Sequence, residues 1–219
     1  MSKFLQILLG VFLISSVGLN IYQYTKENRG DLVKVLDVID GDTILVENNR
    51  KIRLAGVEAP ESGLCGSTES AKLLSSLVKG KSVKIVPITT DVYGRNVASV
   101  YVDDTYVNKE MIASGWVNFN YIKLADREEI SEINKVAIKE EKGIYGSKCT
   151  QATNPEKPKC VIKGNINAKG ERTYLFPGCA SYQISKVQLH LGESWFCTEK
   201  EAIAAGFTKN SVCYGKSYK

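Results

Sequence analysis

Residues 41–61 read GDTILVENNRKIRLAGVEAPE. Two short apolar alternations, TILV and KIRL, flank the polar break NNR, which predicts a pair of antiparallel strands. By the two-residue repeat of a strand, Ile52 and Leu54 share one face and Arg53 takes the other. Asp40 and Asp42 bracket Gly41 before the first of these strands, and Glu58 and Glu61 bracket Ala59-Pro60 after the second. Asp42, Arg53, Glu58 and Glu61 are costly to interleave with Ile44, Val46, Ile52 and Leu54 unless the charged face has an occupant. A surface hairpin carries such charges for solubility, whereas a site for a metal ion and a phosphate requires them.

Working outward, DLVKVLDVID (31–40) supplies a strand before the pair. SVKIVPITT (82–90) and VASVYVDD (97–104) supply two more after it, and Pro87 marks an edge or a bulge. STESAKLLSSLVKGK (67–81) predicts a helix stopped by Gly80, and VNKEMIASG (107–115) a second. ADREEISEINKVAIKEEKG (125–143) predicts a third, with Ile130, Ile133, Val136 and Ala137 facing inward. Five strands, one helix between the third and fourth and two after the fifth predict a mainly β, α+β domain over 31–149. Its layout resembles the five-stranded OB-fold barrel with three helices.

Hydrophobic residues make up 43% of the 219-residue chain and charged residues 24%, an ordinary globular balance, and the net charge is +5. Residues 31–149 carry 16 Lys+Arg against 18 Asp+Glu, while 150–219 carry 10 against 5, so the positive charge concentrates in the tail. A polyanion would be drawn to that end over the range that salt permits. The single histidine, His190, lies in the tail, where it reads as a surface or packing residue. A Ser-His-Asp or Cys-His nucleophile is therefore excluded from the middle domain, and no glycine-rich phosphate loop is present. Carboxylate and arginine chemistry remains, with Arg95 in DVYGRN (91–96) as a second guanidinium.

Phe4–Tyr22 is almost wholly apolar, interrupted strongly only by Gln6 and Asn20, close to the roughly 20 residues that cross a bilayer. Residues 1–30 are read as a membrane anchor, an N-terminal transmembrane helix with the rest of the chain outside the cytoplasm. A cleaved signal segment, leaving a secreted protein, is the competing reading. Six cysteines suit that compartment. Cys65 and Cys149 bracket the middle domain and would close a long loop; Cys160, Cys179, Cys197 and Cys213 allow three pairings, which stay open. CTQATNPEKPKC, with Pro155 and Pro158, reads as a linker over 150–159, followed by a small cysteine-stapled domain over 160–219.

DGDT, RLAGVEAPE and DVYGRN, in this order and at these separations, resemble the staphylococcal nuclease (thermonuclease) family over about 31–148. The resemblance implies an OB-type barrel that cleaves DNA and RNA with Ca²⁺, breaking the 5′ P–O bond and leaving 3′-phosphates. It implies Asp42 and Glu58 as calcium carboxylates and Ala59 as a backbone-carbonyl ligand. By the same resemblance Arg53 and Arg95 hold the scissile phosphate, and Glu61 activates the attacking water. Tyr93 would contact a terminal phosphate and Tyr121 stack a base. The chain departs from the family in having Glu58 for an aspartate, Val92 for a lysine, and a short loop SGLCGSTES after Glu61. Each of the last two removes substrate-facing positive charge, which predicts weaker, more salt-sensitive binding. The tail resembles the small cysteine-bearing modules called sunset domains in KGNINAKGERTYLFPG and WFCTEKEAIAAGF, and its excess of lysine could hold DNA or an anionic envelope polymer. The alternative to an enzyme is a nucleic-acid-binding surface module whose metal site is blunted by Glu58.

Overall fold

The computed structural model describes residues 31–120, 124 and 126–218, together with Gly18. The expected anchor over 1–30 and Tyr121 lie outside the described residues. Among the described residues, no helix is long and apolar enough to cross a membrane.

Strands β1 (Asp31–Val38), β2 (Thr43–Val46) and β3 (Arg50–Leu54) form an antiparallel meander. β2 and β3 are joined by Glu47–Asn49, where Asn48 and Asn49 adopt positive φ of 60° and 55°, a region asparagine tolerates. A two-residue strand, β4 (Val57–Glu58), follows. After helix α1 (Ser67–Val78) come β5 (Ser82–Thr90), β6 (Asn96–Val102) and the short β7 (Thr105–Tyr106). β5 pairs with β1 and with β6, and β6 pairs in parallel with β3, so five strands close into a barrel and β7 extends it by one. The register between β5 and β6 shifts between Pro87 and Thr89, which is the bulge expected of a proline inside a sheet.

Alternation fills the barrel. Val35, Ile44, Val46, Ile52, Leu54, Val83, Ile85 and Val100 are buried, each burial contributing about 1.5–3 kcal/mol before the entropy of ordering is counted. α1 closes one side with Leu74 and Val78, and α2 (Val107–Ala113) adds Met111 and Ile112. α3 (Arg127–Lys139) buries Ile130 and Ala137 and packs Ile133 against the same core. Val136 does not face inward as the sequence pattern predicted: it is 48% exposed. At 100° per residue it lies about 100° around the helix from the Ile130–Ala137 line, beyond the contact stripe.

The strand β8 (Asn118–Phe119) pairs with β4, placing Asn118 opposite Glu58. Beyond Cys149, β9 (Thr150–Gln151) pairs with β12 (Val187–Gln188) of the C-terminal region, so the two halves share a sheet. That region is built on a sheet ordered β13 (Ser194–Phe196), β10 (Ile162–Ile166), β11 (Arg172–Leu175), β14 (Thr208–Lys209), with helix α4 (Glu199–Ala204) capped by Thr198. Its core gathers Ile162, Tyr174, Phe176, Phe196 and Phe207. Three disulfides staple the chain: Cys65–Cys149, Cys160–Cys197 and Cys179–Cys213. The first is the long-range closure expected from sequence, and the other two choose one of the three tail pairings left open there.

Candidate active site

The mouth of the barrel is organised by one glycine. A Cβ on Gly41 would lie 2.2 Å from Ser70 Oγ, 2.5 Å from Ser70 Cβ and 2.7 Å from Ala59 Cβ, so the turn before β2 is wedged between α1 and the residues after β4. That close approach brings Asp42 to Ala59. Asp42 Oδ2 accepts the Ala59 N–H at 3.0 Å, while Oδ1 accepts Thr43 Oγ1 at 2.7 Å and Arg53 Nη1 at 2.6 Å. The Asp42 N–H donates to Asp40 Oδ1 at 2.9 Å. Arg53 reaches Asp42 because β2 and β3 pair Thr43 with Arg53 and because Arg53 points away from Ile52 and Leu54, as alternation predicted. Asp42 is 4% exposed. Burial is the largest influence and pushes its carboxyl up to about 6, reinforced by the charge of Asp40 and opposed by the Ala59 hydrogen bond and by Arg53.

Arg95 occupies the turn before β6, the strand that runs beside β3 with Arg53 paired to Val97. It is held by Asp91. Asp91 Oδ1 accepts the N–H groups of Tyr93 and Arg95, each at 2.9 Å, and Oδ2 accepts Arg95 Nε at 2.7 Å. Burial acts to raise the Asp91 carboxyl, but these hydrogen bonds and the Arg95 charge outweigh it and hold it below the usual range. The Arg95 guanidinium lies over the Tyr93 ring at 5.3 Å, and that ring is 80% exposed, so the pair stands out from the barrel surface. Val92, where the family has lysine, is fully solvent-facing at 94% exposure.

Glu58 and Glu61 are exposed, on either side of the partly buried Ala59 and the buried Pro60. The Leu64 N–H closes a turn onto the Glu61 carbonyl at 2.9 Å, and the adjacent Cys65 is bonded to Cys149. The acid–Ala–Pro–acid run is thus a fixed loop, tied to Asp42 at one end and to the junction with the C-terminal region at the other. Glu58, Ala59 and Glu61 line a cleft of about 670 Å³ whose other wall includes Gln188 and His190.

The oxygens at this mouth fit a hard cation with few protein ligands. A carboxylate has about four acceptor positions, and three on Asp42 are used, so Oδ2 keeps one. Its raised affinity for a proton is the signature of a buried anion that a cation would relieve. Among the described residues no three His, Cys, Asp or Glu side chains converge on one point, so carbonyl oxygen, water and substrate would complete the coordination. Sequence reasoning missed Thr43, Asp91 and Ser70, which set the positions of Asp42, Arg95 and Gly41. The spacing of Asp91 and Arg95 by four residues around a glycine turn was the one usable signal among them.

Residues 51–147 match the family model described as staphylococcal nuclease homologue. The chain carries a domain of the staphylococcal nuclease family. It is 33% identical over 118 residues to "Probable staphylococcal-like nuclease CAN1" of Oryza sativa subsp. japonica, covering 54% of this chain and 34% of the relative. "Staphylococcal-like nuclease CAN1" of Arabidopsis thaliana is 32% identical over 108 residues, covering 49% of this chain and 32% of that protein. An "Uncharacterized endonuclease" of Escherichia coli O157:H7 is 39% identical over 94 residues, covering 40% of this chain and 61% of that protein. The chain therefore spans about a third of the length of the plant relatives and about three-fifths of the bacterial one. The staphylococcal-nuclease-family domain contains all of the candidate residues from Arg53 to Arg95, and Asp42 stands just before the matched segment.

Proposed function

We infer that the chain is a Ca²⁺-dependent nuclease that hydrolyses phosphodiester bonds of DNA, and of RNA, to leave 3′-phosphate ends. The observation that carries this reading is the Asp42–Arg53–Ala59 junction, which couples the barrel mouth to the Glu58–Glu61 loop, with Arg95 in the turn that leads into β6, the strand paired with β3. Two guanidinium forks match phosphate oxygens and keep their charge at every working pH. Arg53 and Arg95 bind the non-bridging oxygens of the scissile phosphate, and Asp42 and Asp91 hold the two guanidinium groups in place beforehand. Glu61 is exposed and free of salt bridges among the described residues, so its carboxylate is available to take a proton from water. The water oxygen then bonds to phosphorus, the bond from phosphorus to the 5′-oxygen breaks, that oxygen takes a proton from solvent water and leaves as the 5′-hydroxyl, and Arg95 stabilises the charge that accumulates on the phosphoryl oxygens. Asp42, Glu58 and the Ala59 carbonyl would hold the Ca²⁺, which when bound supplies charge neutralisation at the phosphate. Tyr93, beside Arg95, contacts the neighbouring phosphate.

Three disulfides support a working place outside the cytoplasm, with residues 1–30 as the membrane anchor. The test is cleavage of end-labelled single-stranded DNA by the oxidised chain with Ca²⁺, with a chelator, and after Ca²⁺ is restored. Cleavage should follow Ca²⁺ and leave 3′-phosphates, and Glu61→Gln should slow it by roughly 10²–10⁴-fold while far-UV circular dichroism stays unchanged. DNA binding without cleavage in Ca²⁺ and in every other divalent ion tried would refute the enzyme and favour a binding module.

A further inference from the structure

The cleft beside Glu61 has two walls of different origin. One is the Glu58–Leu64 loop with Asn118 of β8; the other is the C-terminal region, through the end of β10, Gln188 of β12 and the short turn that carries His190. The second wall is built to stay in place. The Leu189 N–H donates to the Cys149 carbonyl at 2.8 Å, directly beside the Cys65–Cys149 disulfide, and the Trp195 indole N–H donates to Gln151 Oε1 at 2.8 Å. Glu193, 4% exposed, accepts the N–H of Ile166 at 2.8 Å and of Gln188 at 2.7 Å, fixing the two edges of the wall to each other.

The lining has a definite chemistry. It contains two carboxylates, Glu58 and Glu61, and no lysine or arginine, so it repels a phosphate. It offers aliphatic surface from Leu64 and Ile166 together with uncharged hydrogen-bonding groups. Asn118 and Gln188 line the cleft from its two walls, and neither side-chain amide is hydrogen-bonded to another described residue. His190 also lines the cleft; it is 2% exposed, with Nδ1 buried on the protein side and the Cys149 carbonyl the polar group that acts on it. A volume of about 670 Å³ is within the range of small-molecule sites.

We propose that this cleft is a nucleobase subsite, in which Gln188 and His190 of the C-terminal region, with Asn118 of the barrel, receive the base of a nucleotide next to the bond being cut. A base is planar, uncharged and edged with hydrogen-bond donors and acceptors, which is what aliphatic walls with two amides and an imidazole recognise. The C-terminal region is then a specificity element of the enzyme. The proposal rests on the nuclease reading for its place beside the scissile phosphate, but the binding of a base is separable from cleavage.

The test has two arms, both on the full oxidised chain. In the first, kcat and KM are measured in Ca²⁺ for single-stranded oligodeoxynucleotides that carry either ordinary bases or abasic residues on both sides of one cleavable linkage. The ratio of kcat/KM for based over abasic substrate should fall by roughly 5–20-fold in Gln188→Ala, chiefly through KM, and partly recover in Gln188→Asn. A ratio equal to the wild type's in Gln188→Ala overturns the subsite, as does a loss shared equally by both substrates. In the second arm, the ring signals of the chain's single histidine are followed by NMR while deoxynucleosides are added. Saturable shifts that weaken in Gln188→Ala support the subsite even if the wild type cleaves nothing, in which case the nuclease reading alone fails. Absence of shifts at millimolar deoxynucleoside overturns it even if cleavage is fast.

Discussion

Replacing Gly41 by alanine tests the claim that one close approach assembles the site. The added Cβ would meet Ser70 Oγ at 2.2 Å, Ser70 Cβ at 2.5 Å and Ala59 Cβ at 2.7 Å, against ordinary contacts of 3.4–4 Å. Rotating Ser70 moves only its hydroxyl, so the backbone of α1 or of the Ala59 loop must retreat by roughly 1 Å. Overpacking of this kind costs about 1–3 kcal/mol, which lowers Tm by roughly 3–10 °C in a chain of this size. The loss of turnover should be larger than the loss of stability implies, because the Asp42–Ala59 hydrogen bond opens and Glu61 moves with the loop. A misplacement of about 1 Å is worth on the order of 10² in rate. Thermal unfolding and single-turnover cleavage of Gly41→Ala, Gly41→Ala/Ser70→Ala and Gly41→Ala/Ser70→Gly give the decisive series. Ser70→Ala leaves the offending Cβ in place and should not rescue, whereas Ser70→Gly removes it and should recover part of both quantities beyond its own helix cost of about 1 kcal/mol. A Gly41→Ala chain with wild-type Tm and wild-type turnover would refute the reasoning outright.

Asn108 on α2 is fully buried; its Oδ1 accepts the Val100 N–H at 2.9 Å and its Nδ2 donates to the carbonyls of Ala55 and Ala98. Asn108→Ala should therefore destabilise the barrel by roughly 2–5 kcal/mol in urea unfolding, and a change under about 0.5 kcal/mol would remove its keystone role. Cys65→Ser/Cys149→Ser opens a closure of 84 residues, for which the chain-entropy model gives roughly 4–5 kcal/mol; retention of the wild-type denaturation midpoint would contradict it. Burial lowers the His190 pKa from 6.5 to about 4, against the opposing pull of the Cys149 carbonyl. Between those values the unfolded chain binds a proton that the folded chain does not. The stabilisation from a neutral His190 is therefore complete above about pH 6.5 and lost as the pH falls toward 4, roughly 3 kcal/mol in all. Unfolding midpoints from pH 7 to 4 should fall more steeply for the wild type than for His190→Gln, and parallel curves would refute the assignment.

The parts of this molecule that were legible in its sequence are those governed by short-range periodicity. Ile52 and Leu54 against Arg53 follow from alternation alone, Pro87 announces a bulge, and the barrel follows once five such strands are counted. What escaped depends on contacts between distant segments. Gly41 reads as an ordinary turn residue until α1 is seen against it, and Val136 passes for a core position because it is only one helical step, about 100°, from the Ile130–Ala137 line that packs. Lys163 sits mid-strand like any solvated lysine, yet its ammonium is buried, donating to the carbonyls of Tyr182 and Ser185 and lying over the Tyr182 ring. The same limit hides the second wall of the cleft. The strands that join it to the barrel, Thr150–Gln151 and Val187–Gln188, are two residues each, too short to leave a periodic trace. Gln188 gains its meaning only because that pairing, the Leu189–Cys149 hydrogen bond and the Cys65–Cys149 bond fix the C-terminal region against the Glu61 loop. The local code therefore specifies where Asp42, Arg53, Glu61 and Arg95 fall along the chain, while the surface proposed to choose the substrate is specified by tertiary packing.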